Sequence, residues 1–259
     1  MKKKWIFVTV LLLVVAILGV SGWQYTQEAE DNRVSDEQME MRPDLPDLSR
    51  TVPVTKPKPS SETDPAVPEI PEEPTLPVLE WNGALGDNPD IVGWLLVKEL
   101  GIDYPLVHGT NNEYYLTHTA QKKSNNRGAL FMDFRNNSDL SDFNTIVYGH
   151  NINSGRMFGR LKEMKNRSTF DAVTTGYLFT EARTYNLEIF AVVVTDSKSD
   201  YFGLFFPSPA SKESHLKKIQ EQAMFYRDIG MTAKDKIIVL STCSYEFKDA
   251  RTLVLARLA

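Results

Sequence analysis

The stretch "IIVLSTCSYEFKDAR", Ile237 to Arg251, decides how this chain is read. Ile237 to Thr242 is apolar and β-branched, the composition of a buried strand. A polar turn follows, and "RTLVLARL", Arg251 to Leu258, is a second run of the same kind. Cys243, the only cysteine among 259 residues, closes the first run, and Arg251 opens the second, eight residues on. If the two strands pair as neighbours, the guanidinium returns close to the sulfur. A lone cysteine cannot form an internal disulfide. Three readings stay open: a buried inert thiol, an intermolecular bridge, or a nucleophile. Arginine carries a permanent charge and a fork of donors, so beside a cysteine it can stabilise a thiolate or the oxyanion of an attacked carbonyl. A rim arginine facing water is the plainer reading of Arg251.

A cysteine nucleophile usually works with a histidine, and the chain has four: His108, His118, His150 and His215. His215 falls on an amphipathic stretch and is expected to face solvent. His108 and His118 sit in "PLVHGTNNEYYLTHT", at loop or edge positions. His150 ends the strand-like run "NTIVYGHN", where Gly149 permits a tight exit. These histidines and Cys243 do not fall at the spacing of zinc ligands, so no metal and no cofactor is expected.

Outward from these runs, "IVGWLLV", "GALFMDF" and "LEIFAVVV" read as further short strands, divided by turn chemistry such as "RNNSD" and "NINSG". Two helical stretches stand out. One is "MFGRLKEM", Met157–Met164. The other runs from Ser211 to Ile229, with Leu216, Ile219, Ala223 and Tyr226 at helical spacing and Ser208 or Ser211 as N-cap. Many short strands with few helices predict a mainly β fold, a closed barrel or sandwich, rather than a doubly wound parallel sheet.

Composition divides the chain in three. Residues 1–23 open with Lys2, Lys3 and Lys4 and then hold 19 uncharged residues from Trp5 to Trp23, close to the roughly 20 a bilayer span requires. The lysines predict a cytoplasmic N-terminus, and the flanking tryptophans suit the two interfaces. A cleaved signal peptide is the rival, but no A-x-A-like site follows. Residues 24–79 are acidic and carry ten of the 14 prolines after residue 40, the composition of a disordered stalk. Residues 80–259 form a domain near neutrality, with 21 basic against 20 acidic residues from 81 onward. That balance gives no electrostatic case for nucleic acid, and the length can bury one sizeable core.

"NTIVYGHN", followed 93 residues after its histidine by the cysteine of "IIVLSTCSYEFKDAR", resembles the histidine and cysteine motifs of sortases, membrane-anchored cysteine transpeptidases of Gram-positive bacteria. The upstream run "NPDIVGWLLVKELGIDYPLVHGTNNEYYLTHTAQKKSNNRGALFMDFRN" resembles class B members in particular. The likeness spans roughly residues 80–259. It implies a closed eight-stranded β-barrel, extra helices near residues 80–92, and a helix before the cysteine strand. It implies Cys243 as nucleophile, His150 as acid/base partner and Arg251 as substrate and oxyanion clamp. Asn112, Leu116 and Ser241 match positions that line the class B substrate groove. Some class B members have an acidic residue two after the cysteine; here that position is Tyr245, and no third catalytic group is implied. The eight-residue interval from Cys243 to Arg251 is also shorter than in some members.

The function implied is cleavage of a C-terminal sorting signal, NPxTx or LPxTG in kind, after its threonine. The secreted protein would pass through a thioester to an amine of peptidoglycan. A pilus assembler using a lysine acceptor is the alternative within the family. An L,D-transpeptidase-like enzyme would carry His-Gly before its cysteine, where this chain has Ser241-Thr242. A non-enzymatic stalked barrel that binds a wall polymer or host ligand would leave Cys243 as an unreactive core thiol.

Overall fold

The computed structural model describes residues 15–26, 29, 33, 41–45 and 88–259. It falls into two units, Met1–Glu40 and Met41–Ala259. The first shows helix α1, described at residues 15–26, 29 and 33, with Val15, Ile17, Leu18, Val20 and Trp23 exposed. Among the described residues no helix is long and apolar enough to cross a membrane. The rest of the expected anchor and most of the expected stalk lie outside the described residues.

The second unit holds nine strands: β1 (Ile91–Val97), β2 (Ile102–Val107), β3 (Leu130–Met132), β4 (Asn144–Tyr148), β5 (Thr175–Phe179), β6 (Thr184–Asp196), β7 (Phe225–Tyr226), β8 (Lys236–Cys243) and β9 (Ala250–Leu258). Their order is β5-β1-β2-β3-β4-β8-β9-β6-β7, and β5 also pairs with β6. That pairing closes eight strands into a barrel and leaves the two-residue β7 outside it. Closure removes the open edges that invite aggregation. β2–β3 and β4–β8 are parallel; every other pair is antiparallel.

Leu95, Leu106, Val147, Leu178, Ile238, Leu240, Val254 and Ala256 belong to the main buried cluster. A second cluster sits on the other face of β6, β8 and β9, where Phe190, Val193, Ile237, Val239, Leu253 and Leu255 meet Ile219 and Tyr201. Ile219 comes from helix α3 (Pro209–Gln222). Strands β8 and β9 are thus covered on both faces, which is why their sequences run unbroken in apolar residues instead of alternating. A third cluster takes in Trp94, Val107 and Tyr115, with Met41 buried in it and Leu45 packed against it. Arg42 Nε donates to Asp103 Oδ2 at 2.8 Å, and Trp94 Nε1 donates to Oδ1 of the same carboxylate at 2.7 Å. Residues 41–45, inside the stretch expected to be stalk, therefore lie on the barrel.

The helices differ from expectation in three ways. Helix α3 starts as expected, with Ser208 as N-cap and a reciprocal Ser208–Ser211 capping box. It ends at Gln222 rather than Ile229, because Phe225–Tyr226 pairs with Ala191 and Val192 of β6. "MFGRLKEM" yields a 3-10 segment, Gly159–Lys165, followed by helix α2 (Arg167–Ala172). The helices expected near residues 80–92 are absent over 88–92, where a turn leads into β1; residues 81–87 lie outside the described residues.

Candidate active site

Cys243 is the last residue of β8 and is half-buried. The β8–β9 register sets Cys243 directly opposite Arg251, where Cβ atoms stand about 5 Å apart. Strand alternation puts Ser241 on the face of Cys243. Tyr148 of β4 stands opposite Ser241, and Phe131 of β3 opposite Tyr148. These side chains project from the barrel's outer face, since Leu240 and Thr242, which alternate with Ser241 and Cys243, point the other way, Leu240 into the main buried cluster.

His150 follows β4 and is fixed from several sides. The Gly149 amide donates to Ser241 O at 3.2 Å, and Thr242 Oγ1 donates to Gly149 O at 2.7 Å. A Cβ on Gly149 would stand 2.5 Å from Leu130 Cδ2 and 2.7 Å from Phe158 Cδ2, so glycine is required there by close approach. Asn151 Nδ2 donates to Cys243 O at 2.8 Å. The segments that carry the histidine and the cysteine are thereby stapled together before and after His150.

His150 Nε2 lies 2.8 Å from Leu116 O. A carbonyl only accepts, so Nε2 carries the proton and Nδ1 is left to exchange one. Leu116 ends a 3-10 turn, Tyr114–Leu116. That turn hangs on Tyr115, which is buried and donates to Asp90 Oδ2 at 2.6 Å while accepting from Asn88 Nδ2 at 3.0 Å. Burial pushes the Asp90 carboxyl up, but hydrogen bonds from Tyr115 and Lys122 outweigh it and hold the group below its usual range. Gly128, at φ +59°, sits where any side chain would run into the Tyr115 carbonyl. Asn112 Oδ1 accepts from the Phe134 amide at 3.0 Å, which leaves its amide NH2 to other partners.

Asn112, Leu116, His150, Ser241, Cys243 and Arg251 all line one groove of about 540 Å³. Phe131, Arg135, Tyr148, Phe202 and residues 197–199 complete its walls. Ser241 Oγ is buried there with no hydrogen-bond partner among the described residues. Arg251 Nη1 donates to Ala250 O at 3.0 Å, and the guanidinium engages no carboxylate among the described residues. Tyr245 is 81% exposed, so the position two after the cysteine faces water. Glu246 instead pairs with Lys165 and pins the β8–β9 turn to the 3-10 segment. Burial raises the Glu246 carboxyl, but the Lys165 contact dominates and its pKa falls to about 2.

Sequence reasoning missed Asn151, although it adjoins His150 in the same motif, and it missed the pair Asp133–Arg135 beside the groove. It also misplaced His215. That side chain is 7% exposed and is packed edge-on to Phe143, Phe206 and Tyr201, and burial takes its pKa down to about 4. A polar residue on the helix face that covers the barrel reads as solvent-facing when only its type is considered. Among the described residues no group of His, Cys, Asp and Glu is placed to hold a metal.

The sortase domain model matches residues 95–259. Sortase B of Listeria monocytogenes is 34% identical over 173 residues, 66% of this chain and 70% of the relative. The X-ray structure of Clostridium perfringens sortase B superposes with a TM-score of 0.63 at 34% identity, covering 66% of this chain and 95% of that one. The chain belongs to the class B sortases. A Staphylococcus aureus sortase B–substrate complex is also similar, with a TM-score of 0.63, 29% identity, and coverage of 66% of this chain and 81% of that one. The sortase is accordingly a cysteine transpeptidase of the cell wall, acting on proteins with sorting signals and on wall amines as acceptors. The reading of the barrel as a non-enzymatic binding module is set aside.

Proposed function

We propose that this sortase is anchored by its N-terminal segment with the barrel outside the cell, and that it cleaves an NPxTx- or LPxTG-like signal after threonine. The observation that carries the assignment of roles is the register that sets Cys243 opposite Arg251 in a groove that His150 also lines. The Cys243 thiolate attacks the threonine carbonyl, forming a C–S bond. The guanidinium of Arg251, committed only to the backbone carbonyls of Asp249 and Ala250, faces the oxyanion that develops. The C–N bond then breaks, and the leaving amine takes the proton from Nδ1 of the His150 imidazolium. Leu116 O, holding Nε2–H, keeps the ring oriented with Nδ1 toward the groove's chemistry. An incoming amine returns a proton to His150 as it attacks the thioester, and Cys243 leaves as thiolate. Asn112, Leu116 and Ser241 contact the signal: the free amide of Asn112 and the unpaired hydroxyl of Ser241 are hydrogen-bonding groups toward an extended peptide.

The test is mass spectrometry of the whole chain mixed with NPxTx and xPxTG peptides and with glycine, diaminopimelate or lysine amines, beside Cys243→Ala. A thioester on wild type with cleavage after threonine, absent from the variant, is expected. Preference for a lysine acceptor would point to pilus assembly, and an unmodified Cys243 with every peptide would overturn the reading.

A further inference from the structure

The walls of the groove include Arg135, Lys198 and Arg251 but no carboxylate among the described residues. Arg251 stands opposite Cys243 at one end. Arg135 lines the same groove from the segment that follows β3. The Asp133 amide donates to Ile146 O at 2.8 Å, and Ile146 is the partner of Val239, four residues before Cys243. Four residues of strand span about 13 Å, and β3 lies two strands, about 10 Å, to the side of β8, so the Asp133 backbone is roughly 16 Å from Cys243.

Arg135 is built into place. Asp133 is wholly buried and accepts from Arg135 Nε at 2.8 Å, from Arg135 Nη2 at 2.7 Å, from the Arg135 amide at 3.0 Å and from Tyr148 Oη at 2.9 Å. The arginine side chain itself is 48% exposed. One edge of its fork is thus fixed on Asp133, with the Tyr148 hydroxyl beside it, and the exposed part of the guanidinium is left to face the groove. A buried carboxylate paired this way adds little to stability compared with an apolar replacement. Its consequence is a preorganised guanidinium, the form that binds carboxylates bidentately with least ordering entropy. Lys198 differs. It lies in the turn after β6, where Ser197 N bonds Asp249 O, near the Cys243 end, and it is a flexible point charge.

We propose that Arg135 is a specificity residue of this groove and binds the carboxylate of an Asp or Glu located four or five residues N-terminal to the scissile threonine. The inference rests on the transpeptidase reading above. An extended peptide rises about 3.3 Å per residue, so with its threonine at Cys243 and its upstream part running toward Arg135, the fourth or fifth residue comes within reach of the guanidinium.

The experiment uses the whole chain in detergent and a parent signal peptide carrying Ala, Glu or Lys at each position from four to six before threonine. The readouts are kcat/KM by product formation and, in parallel, peptide affinity for Cys243→Ala by calorimetry. Glu at position four or five is expected to exceed Ala by about 10-fold and Lys to fall below Ala, as for one charge-assisted contact. The double variant Asp133→Asn/Arg135→Gln neutralises both partners, so no buried charge is stranded, and it should reduce the preference below about 2-fold. Arg135→Lys should keep part of it. A flat charge series in wild type, or a Glu preference that survives the double variant, would overturn the proposal. If no peptide is cleaved, the transpeptidase reading fails, while the calorimetric series still reports the charge preference directly.

Discussion

Gly149→Ala is the perturbation that tests most directly how the fold holds His150. The added methyl would stand 2.5 Å from Leu130 Cδ2 and 2.7 and 2.8 Å from two Phe158 ring carbons. Carbon atoms pack best near 3.5–4.0 Å, so about 1 Å of movement is needed against two side chains that are at most 1% exposed. Overpacking of this kind costs about 1–3 kcal/mol, and with neighbours on two sides the upper half of the range applies. For a domain of this size, about 2.5 kcal/mol lowers Tm by roughly 5–10 °C. The movement falls on the residue before His150, whose Nε2 bond to Leu116 O is 2.8 Å long. A displacement of about 1 Å there is expected to lower kcat/KM about 100-fold. The assay is thermal unfolding followed by circular dichroism, beside cleavage of a signal peptide. Leu130→Ala supplies a second-site control, because it removes the nearest clash. The double variant should be more stable than the two single losses predict, by about 1 kcal/mol or more. Unchanged Tm and activity in Gly149→Ala, or strict additivity in the double variant, would refute the claim that close packing fixes the histidine.

Thr242→Val keeps shape but removes the buried 2.7 Å bond to Gly149 O; a loss of about 1–2 kcal/mol is expected, read as the denaturant midpoint. Tyr115→Phe removes the bonds to Asp90 and Asn88 and should lower kcat more than it raises KM, since the turn orients His150 without meeting the peptide through Tyr115; a pure KM effect in steady-state kinetics would contradict this. His215 has a folded pKa of about 4 against 6.5 when free. The unfolded chain therefore binds the extra proton between these values. Stability is full above about pH 6.5 and declines as pH falls toward 4, by about 2 kcal/mol between pH 7 and 5. His215→Phe should flatten that slope, and an unchanged slope in melts across the range would count against burial as its cause.

How much of this was legible in the sequence depends on the range of the interaction involved. β1, β4, β8 and β9 were readable because β-branched and aromatic runs bounded by turn residues are local signals. β2 was not, because "IDYPLV" contains Pro105, which argues against a strand, and β5 is only five residues with a leading Thr-Gly. The end of α3 was lost for a related reason: Tyr226 continues the helical spacing, and only its pairing with Ala191 shows that the chain has already left the helix.

The site divides along the same line. Cys243 and Arg251 lie on one hairpin, so their proximity follows from a turn of a few residues and could be argued from the chain alone. His150 is 93 residues away, and its place beside them depends on the parallel β4–β8 ladder, in which Tyr148 faces Ser241. Parallel pairing leaves no local trace, because the crossover that creates it spans the whole of β5, β6 and α3. The family motif supplied what spacing could not. Even that motif names side chains and not their supports. Leu116 holds His150 through a backbone carbonyl, so its contribution to that contact is independent of side-chain identity. A substitution such as Leu116→Ala should therefore leave the orientation of His150 intact while weakening peptide contact, raising KM about 10-fold with kcat preserved, as loss of uniform binding requires. A collapse of kcat instead would mean that the side chain, and not the turn beneath Tyr115, sets the position of that carbonyl.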